Sequence, residues 1–141
     1  MPARRIGREQ ALKALYSVEI GSRDPSDALS EVGDDGENAE HRIFVRELVL
    51  GTLDFRDRAD AIVQPLLEGW AIDRLPAIDR LLIQMGTYEL ECRSDIPTAV
   101  AINEAVELAK RFSTEDSGKF VNGVLNAVAR NRAAGVDAET P

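Results

Sequence analysis

The 141-residue sequence contains one cysteine, one histidine and one tryptophan. A lone Cys92 excludes an internal disulfide, and with His41 as its only companion it excludes a Cys/His zinc site. A reducing, cytoplasmic setting is therefore the default. No apolar run approaches the roughly 20 residues needed to cross a bilayer, and the arginines near Met1 are not followed by the apolar stretch of an export signal. Ten glycines and six prolines are too few for a collagen-like or low-complexity chain. Enzymatic motifs are missing as well: G-x-x-x-x-G-K-[ST], G-x-G-x-x-G, G-x-S-x-G and H-E-x-x-H do not occur. Glu104 and Glu107 share a helix face, but a carboxylate pair without a companion histidine reads as a solvated face. The expectation is a protein that is not an enzyme and holds neither metal nor cofactor.

What the chain does have is enough apolar matter, 44% of its residues, for one compact domain. Its net charge of -8 argues against indiscriminate coating of nucleic acid. The average hides a gradient. Residues 1–13 carry four cations (Arg4, Arg5, Arg8, Lys13) against one acid, whereas residues 24–40 carry seven acids and no Lys or Arg. Arg outnumbers Lys 14 to 3, which suits bidentate contact with phosphate or carboxylate and equally fits a GC-rich coding genome.

The dominant period is helical. Ala11, Leu12, Leu15 and Val18 recur at steps of three and four and predict a helix over 8–20, with Gly21 as its stop. Asp24 before Pro25 has the form of an N-cap followed by proline at the first helical position, which predicts a short helix over 26–32. A polar loop follows at 33–38. Apolar spacing resumes over 39–69 as one long helix or two in series, because Pro65 either kinks it or breaks it. Asp73 and Pro76 announce a helix to about residue 93, Asp95 and Pro97 another to about 112, and Thr114 or Asp116 caps a last one. Residues 133–141 read as a disordered tail. No segment alternates with period two, so the fold is expected to be all-α. It comprises two small helical sub-bundles sharing a core, about 1–70 and 71–132, divided near 69–73.

Two clusters carry candidate chemistry. Arg4, Arg5 and Arg8 sit at the start of the first helix, where the positive end of its dipole disfavours cations by a few tenths of a kcal/mol each. Stability does not ask for them there; an anionic partner would, although a solvated terminus has the same composition. The second cluster is Lys119, Phe120 and Asn122, beside Asp116 and Ser117 at a helix start. These offer a cation for phosphate, a ring on which a base can stack and an amide that can read a base edge. By spacing alone, core packing of Phe120 is the stronger reading. Gly51, Gly86 and Gly123 point to close helix contacts, and Tyr16 and Trp70 fit either a core rim or an interface.

Several strings together resemble the NusB family of bacterial transcription antitermination factors. They are Arg4-Arg5 with Arg8-Glu9-x-Ala11 and Ala14-Leu15-Tyr16; Asp79-Arg80-x-Leu82-Ile83 with Tyr88-Glu89-Leu90; Ile96-Pro97 with the run from Val100 to Lys110; and Lys119-Phe120-Val121-Asn122-Gly123-Val124-Leu125. The resemblance spans about residues 4–130, and its last two strings are the most specific.

That resemblance implies a seven-helix, two-sub-bundle fold that binds the boxA segment of nascent ribosomal RNA with NusE, the ribosomal small-subunit protein S-ten, and joins NusA and NusG on RNA polymerase. It carries RNA binding to Arg4, Arg5, Arg8, Asp116 and Phe120, and NusE binding to Tyr16 and Asp79. Lys119 and Asn122 join the RNA set on their chemistry. Gln84 departs from the family, standing where relatives often have Arg. Two further readings keep the fold. One is the RNA-binding front of a ribosomal RNA cytosine methyltransferase, although no cofactor-binding domain follows Pro141. The other is a scaffold or homodimer in which the basic head packs against protein.

Overall fold

The computed structural model describes residues 2–32 and 39–135. The expected loop 33–38 and residues 136–141 of the expected tail lie outside them. The described residues form six α-helices and two 3-10 turns, without a strand: α1 (Pro2–Glu19), α2 (Pro25–Val32), α3 (Ala39–Val63), α4 (Ala77–Cys92), α5 (Thr98–Phe112) and α6 (Glu115–Ala133). The fold is all-α as expected, but with six helices rather than seven. Within the periodic stretch 39–69 the single helix α3 ends at Val63, and Pro65, which lacks an N–H to continue the ladder, sits in a 3-10 turn over Gln64–Leu66. A second such turn, Ile72–Arg74, leads into α4.

The chain divides into two compact units, Met1–Asp54 and Phe55–Pro141, with their boundary within α3. In the first unit α1 packs on α2. Helix α1 begins at Pro2 rather than near residue 8; proline is pre-set for a helix start, where its missing N–H costs nothing. The predicted N-cap of α2 is present: Asp24 Oδ1 accepts from the Ser26 N–H at 2.9 Å. Between α1 and α2 the left-handed residue is Ser22, at φ 54°, not the expected stop Gly21. The Arg23 N–H then closes on the Ser17 carbonyl.

In the second unit α4, α5 and α6 pack on one another. Helix α4 is buried on nearly every side, from Leu81 and Leu82 through Ile83 and Met85 to Gly86 and Glu89. A Cβ at Gly86 would lie 2.6 Å from Leu125 Cδ1, which shows how closely α4 and α6 approach there. Gly123, grouped with it on sequence grounds, makes no such contact: a Cβ there would meet nothing within 4 Å. At the start of α6 the cap is Thr114, whose Oγ1 accepts from the Ser117 N–H at 3.0 Å. Asp95 does not cap α5; its carboxylate takes two 3.0 Å hydrogen bonds from Arg93.

Candidate nucleic-acid interface

The basic head lies in the first unit. Arg4 and Arg5 are exposed in the first turns of α1. Arg8, one turn on from Arg4, is only 2% exposed. Both Arg4 and Arg8 place their guanidinium groups over the ring of Phe44 on α3, at 4.7 and 5.4 Å from its centre. Gly7 makes room for that ring: a Cβ there would be 2.8 Å from Phe44 Cδ2. The ring therefore lies against the α1 backbone, where its negative face holds the two cations. The sequence groups Arg8 with the RNA contacts; in the structure it is buried, with its guanidinium over the ring against which Arg4 rests. Phe44 carries no sequence signal beyond an apolar place in α3. On α1 Tyr16 is 42% exposed, and Ile20, one turn further and just past the helix end, is 50% exposed, which gives that side an apolar surface.

The second cluster lies in the other unit. Lys119, Asn122 and Asp116 are exposed on α6, and Phe120 is half-buried. The Asn122 side-chain oxygen already accepts from Asn126 Nδ2 at 3.0 Å, which orients the amide. Asp116, in the first turn of α6, complements the helix dipole without serving as its cap.

Asp79, expected to face a protein partner, is instead 4% exposed. Its Oδ2 accepts from Ser117 Oγ at 3.0 Å, and Ser117 Oγ in turn lies 2.8 Å from Ser113 Oγ. Asp79, Ser117 and Phe120 line an open cavity of about 260 Å³ together with Trp70, Leu75, Pro76, Thr114 and Asp116. Trp70 is 59% exposed and is held by its loop: Gln64 Nε2 donates to the Trp70 carbonyl, and Gln64 Oε1 accepts from the Ile72 N–H.

Gln84, the departure from the family pattern, is also buried, at 2% exposure, and donates to Asp60 Oδ1 at 2.8 Å. Burial raises the Asp60 pKa, the Gln84 hydrogen bond lowers it in part and the neighbouring Asp57 charge raises it further. An arginine in place of Gln84 would therefore start from a buried position beside an acid, so its absence removes no exposed cation.

Comparison with known proteins decides the family. The NusB family model matches residues 5–130. The chain belongs to the NusB family. It is 43% identical over 134 residues to the transcription antitermination protein NusB of Myxococcus xanthus (strain DK1622), covering 92% of this chain and 96% of that one. Its fold is similar to that of T. maritima NusB, with a TM-score of 0.84, 37% identity and 90% of each chain covered. It is also similar to a chain in a crystal structure of antitermination factors NusB and NusE in complex with dsRNA, with a TM-score of 0.84, 27% identity, and 92% of this chain and 98% of that one covered. The relatives it matches are named as transcription antitermination proteins, and the chain is not an enzyme. Among the described residues no helix is long and apolar enough to cross a membrane.

Proposed function

We propose that the chain is an RNA-binding transcription antitermination factor of the cytoplasm. It binds boxA of nascent ribosomal RNA together with NusE and joins NusA and NusG on RNA polymerase. The observation that carries this reading is the exposed pair Arg4 and Arg5 at the start of α1. A helix N-terminus disfavours cations on its own account and favours a bound phosphate, so the arginines gain most when RNA is present. The antitermination role of the relatives, and a related NusB bound with NusE and dsRNA, support the same reading.

Arg4 and Arg5 grip the phosphate backbone, and Arg8 serves them through Phe44. Lys119 adds a cation, Phe120 a stacking ring and Asn122 an oriented amide, while the exposed Tyr16 on α1 faces NusE. The acidic remainder discourages binding to arbitrary nucleic acid. With about three phosphates neutralised, the logarithmic salt slope is only about -2, so the chain alone binds weakly and NusE completes the site. The test is a salt-dependent titration of boxA RNA against a scrambled RNA, with and without NusE. Cooperative, sequence-selective binding is expected; boxA affinity indifferent to NusE, or equal to that of the scrambled RNA, overturns the reading.

A further inference from the structure

Phe44 sits where α3 meets the basic head of α1. Arg4 and Arg8 are one turn apart on α1, so both side chains leave the same side of that helix. Both guanidinium groups lie over the Phe44 ring, and the two contacts differ in kind. Arg8 is buried together with the ring, at 2% and 6% exposure, whereas Arg4 is exposed. Packing accounts for Arg8; it does not account for an exposed cation resting on the same ring. The ring itself has little freedom. A Cβ at Gly7 would lie 2.8 Å from its Cδ2 and 3.1 Å from its Cε2, so its edge is set close against the α1 backbone. One turn earlier on α3, His41 is hydrogen-bonded to Gln10 of α1, and both are 6% exposed. This second tie between the same two helices fixes the distance of the ring from α1, and Arg4 rests on a surface that does not move with it.

We infer that Phe44 is a positioning residue for RNA binding: its ring orders the Arg4 guanidinium at the start of α1 before a transcript arrives. This deepens the RNA-binding reading and rests on it. At 6% exposure the ring offers RNA almost no surface of its own, so it acts through Arg4. An arginine side chain has many rotamers in solution, and immobilising one on binding weakens affinity by about threefold to tenfold. A ring that already holds the guanidinium in the free protein removes part of that cost. The two uses of Arg4 do not compete. A ring face attracts the flat face of a guanidinium, whereas a phosphate takes the N–H groups along its edge.

The test is a double-mutant cycle on the full chain, with boxA RNA and NusE present: Phe44→Leu, Arg4→Ala and the two combined. Leucine keeps an apolar side chain against Gly7 and removes the ring face. Phe44→Leu is expected to weaken boxA binding about fivefold and to leave the salt slope unchanged, since no charge is lost, whereas Arg4→Ala lowers the slope by about 0.7. With Arg4→Ala already in place, Phe44→Leu is expected to change affinity by less than about twofold. Nitrogen-15 relaxation of the Arg4 Nε–H in the RNA-free protein gives a second readout, rigid in the parent and mobile in Phe44→Leu. Thermal melts set a temperature at which every variant is folded; if Phe44→Leu does not fold, Phe44→Met, whose unbranched side chain fills irregular space, takes its place. A merely structural Phe44 would weaken binding equally with and without Arg4→Ala, and that result overturns the inference. So does boxA affinity indifferent to Phe44→Leu, or an Arg4 Nε–H as mobile in the parent as in the variant. Each of these leaves the RNA-binding reading standing. Absence of boxA binding by the parent, with or without NusE, overturns both.

Discussion

Gln64 and Trp70 are joined across the turn that follows α3. The Gln64 amide donates to the Trp70 carbonyl at 2.7 Å while its oxygen accepts from the Ile72 N–H at 2.9 Å, so one side chain closes a loop that contains Gly69 at φ 76°. Gln64→Ala removes both bonds and leaves backbone groups to water. A stability loss of about 1–2 kcal/mol is expected, one bond being exposed and the other part-buried. Urea unfolding followed by Trp70 fluorescence should show the loss, together with a red-shifted native spectrum as the indole loosens.

The arginines of α1 separate by the work they do. Arg5 is exposed, whereas Arg8 is 2% exposed over the Phe44 ring. Arg5→Ala is expected to leave stability within about 0.5 kcal/mol and to reduce the salt slope of RNA binding by about 0.7. Arg8→Ala is expected to cost about 2 kcal/mol through lost packing and a lost cation–π contact, lowering the melting temperature by roughly 4–8 °C. Calorimetry alongside a salt titration checks both; an Arg8→Ala protein as stable as the parent would show that the burial carries no weight.

Much of the fold is legible in the sequence because its signals are local. Asp24 and Pro25 start α2 as a cap and a first-turn proline must, and Pro65 ends α3, each acting on residues within one turn. The burial of Arg8 and Asp79 is not legible there, for the opposite reason. A charged residue in a helical pattern reads as surface, and only a distant partner, Phe44 for Arg8 and Ser117 for Asp79, turns it inward. Gly86 and Gly123 look alike in sequence. Only packing reveals that one faces Leu125 and the other open space.

Those two glycines make a paired experiment. Gly123→Ala adds a methyl group where nothing lies within 4 Å, and the gain in helix propensity is expected to stabilise the protein by about 1 kcal/mol. Gly86→Ala adds the same group 2.6 Å from Leu125 Cδ1, and Leu125 is fully buried with little room to turn aside. Overpacking of about 1–3 kcal/mol outweighs the same propensity gain, for a net loss of about 1 kcal/mol. Thermal melts of the two variants should move in opposite directions, and trimming Leu125 to Val in the Gly86→Ala background should recover part of the loss.

Asp60 gives the pH dependence a definite sign. Burial raises its pKa in the folded protein, and the hydrogen bond from Gln84 offsets this only in part. A carboxyl whose folded pKa exceeds its unfolded value favours the native state most fully below the unfolded value of 3.8, and that advantage is lost as pH rises through the folded value. At neutral pH the ionised Asp60 is therefore a net cost. Asp60→Asn keeps an oxygen for Gln84 and removes the charge, so the variant is expected to melt higher than the parent at pH 7, with the difference shrinking as the pH approaches 3.8 and the parent's carboxyl becomes protonated. Melting temperatures of both proteins measured from about pH 3.5 to about pH 8 check this; a difference that stays constant across the range would mean that the charge on Asp60 is not its cause.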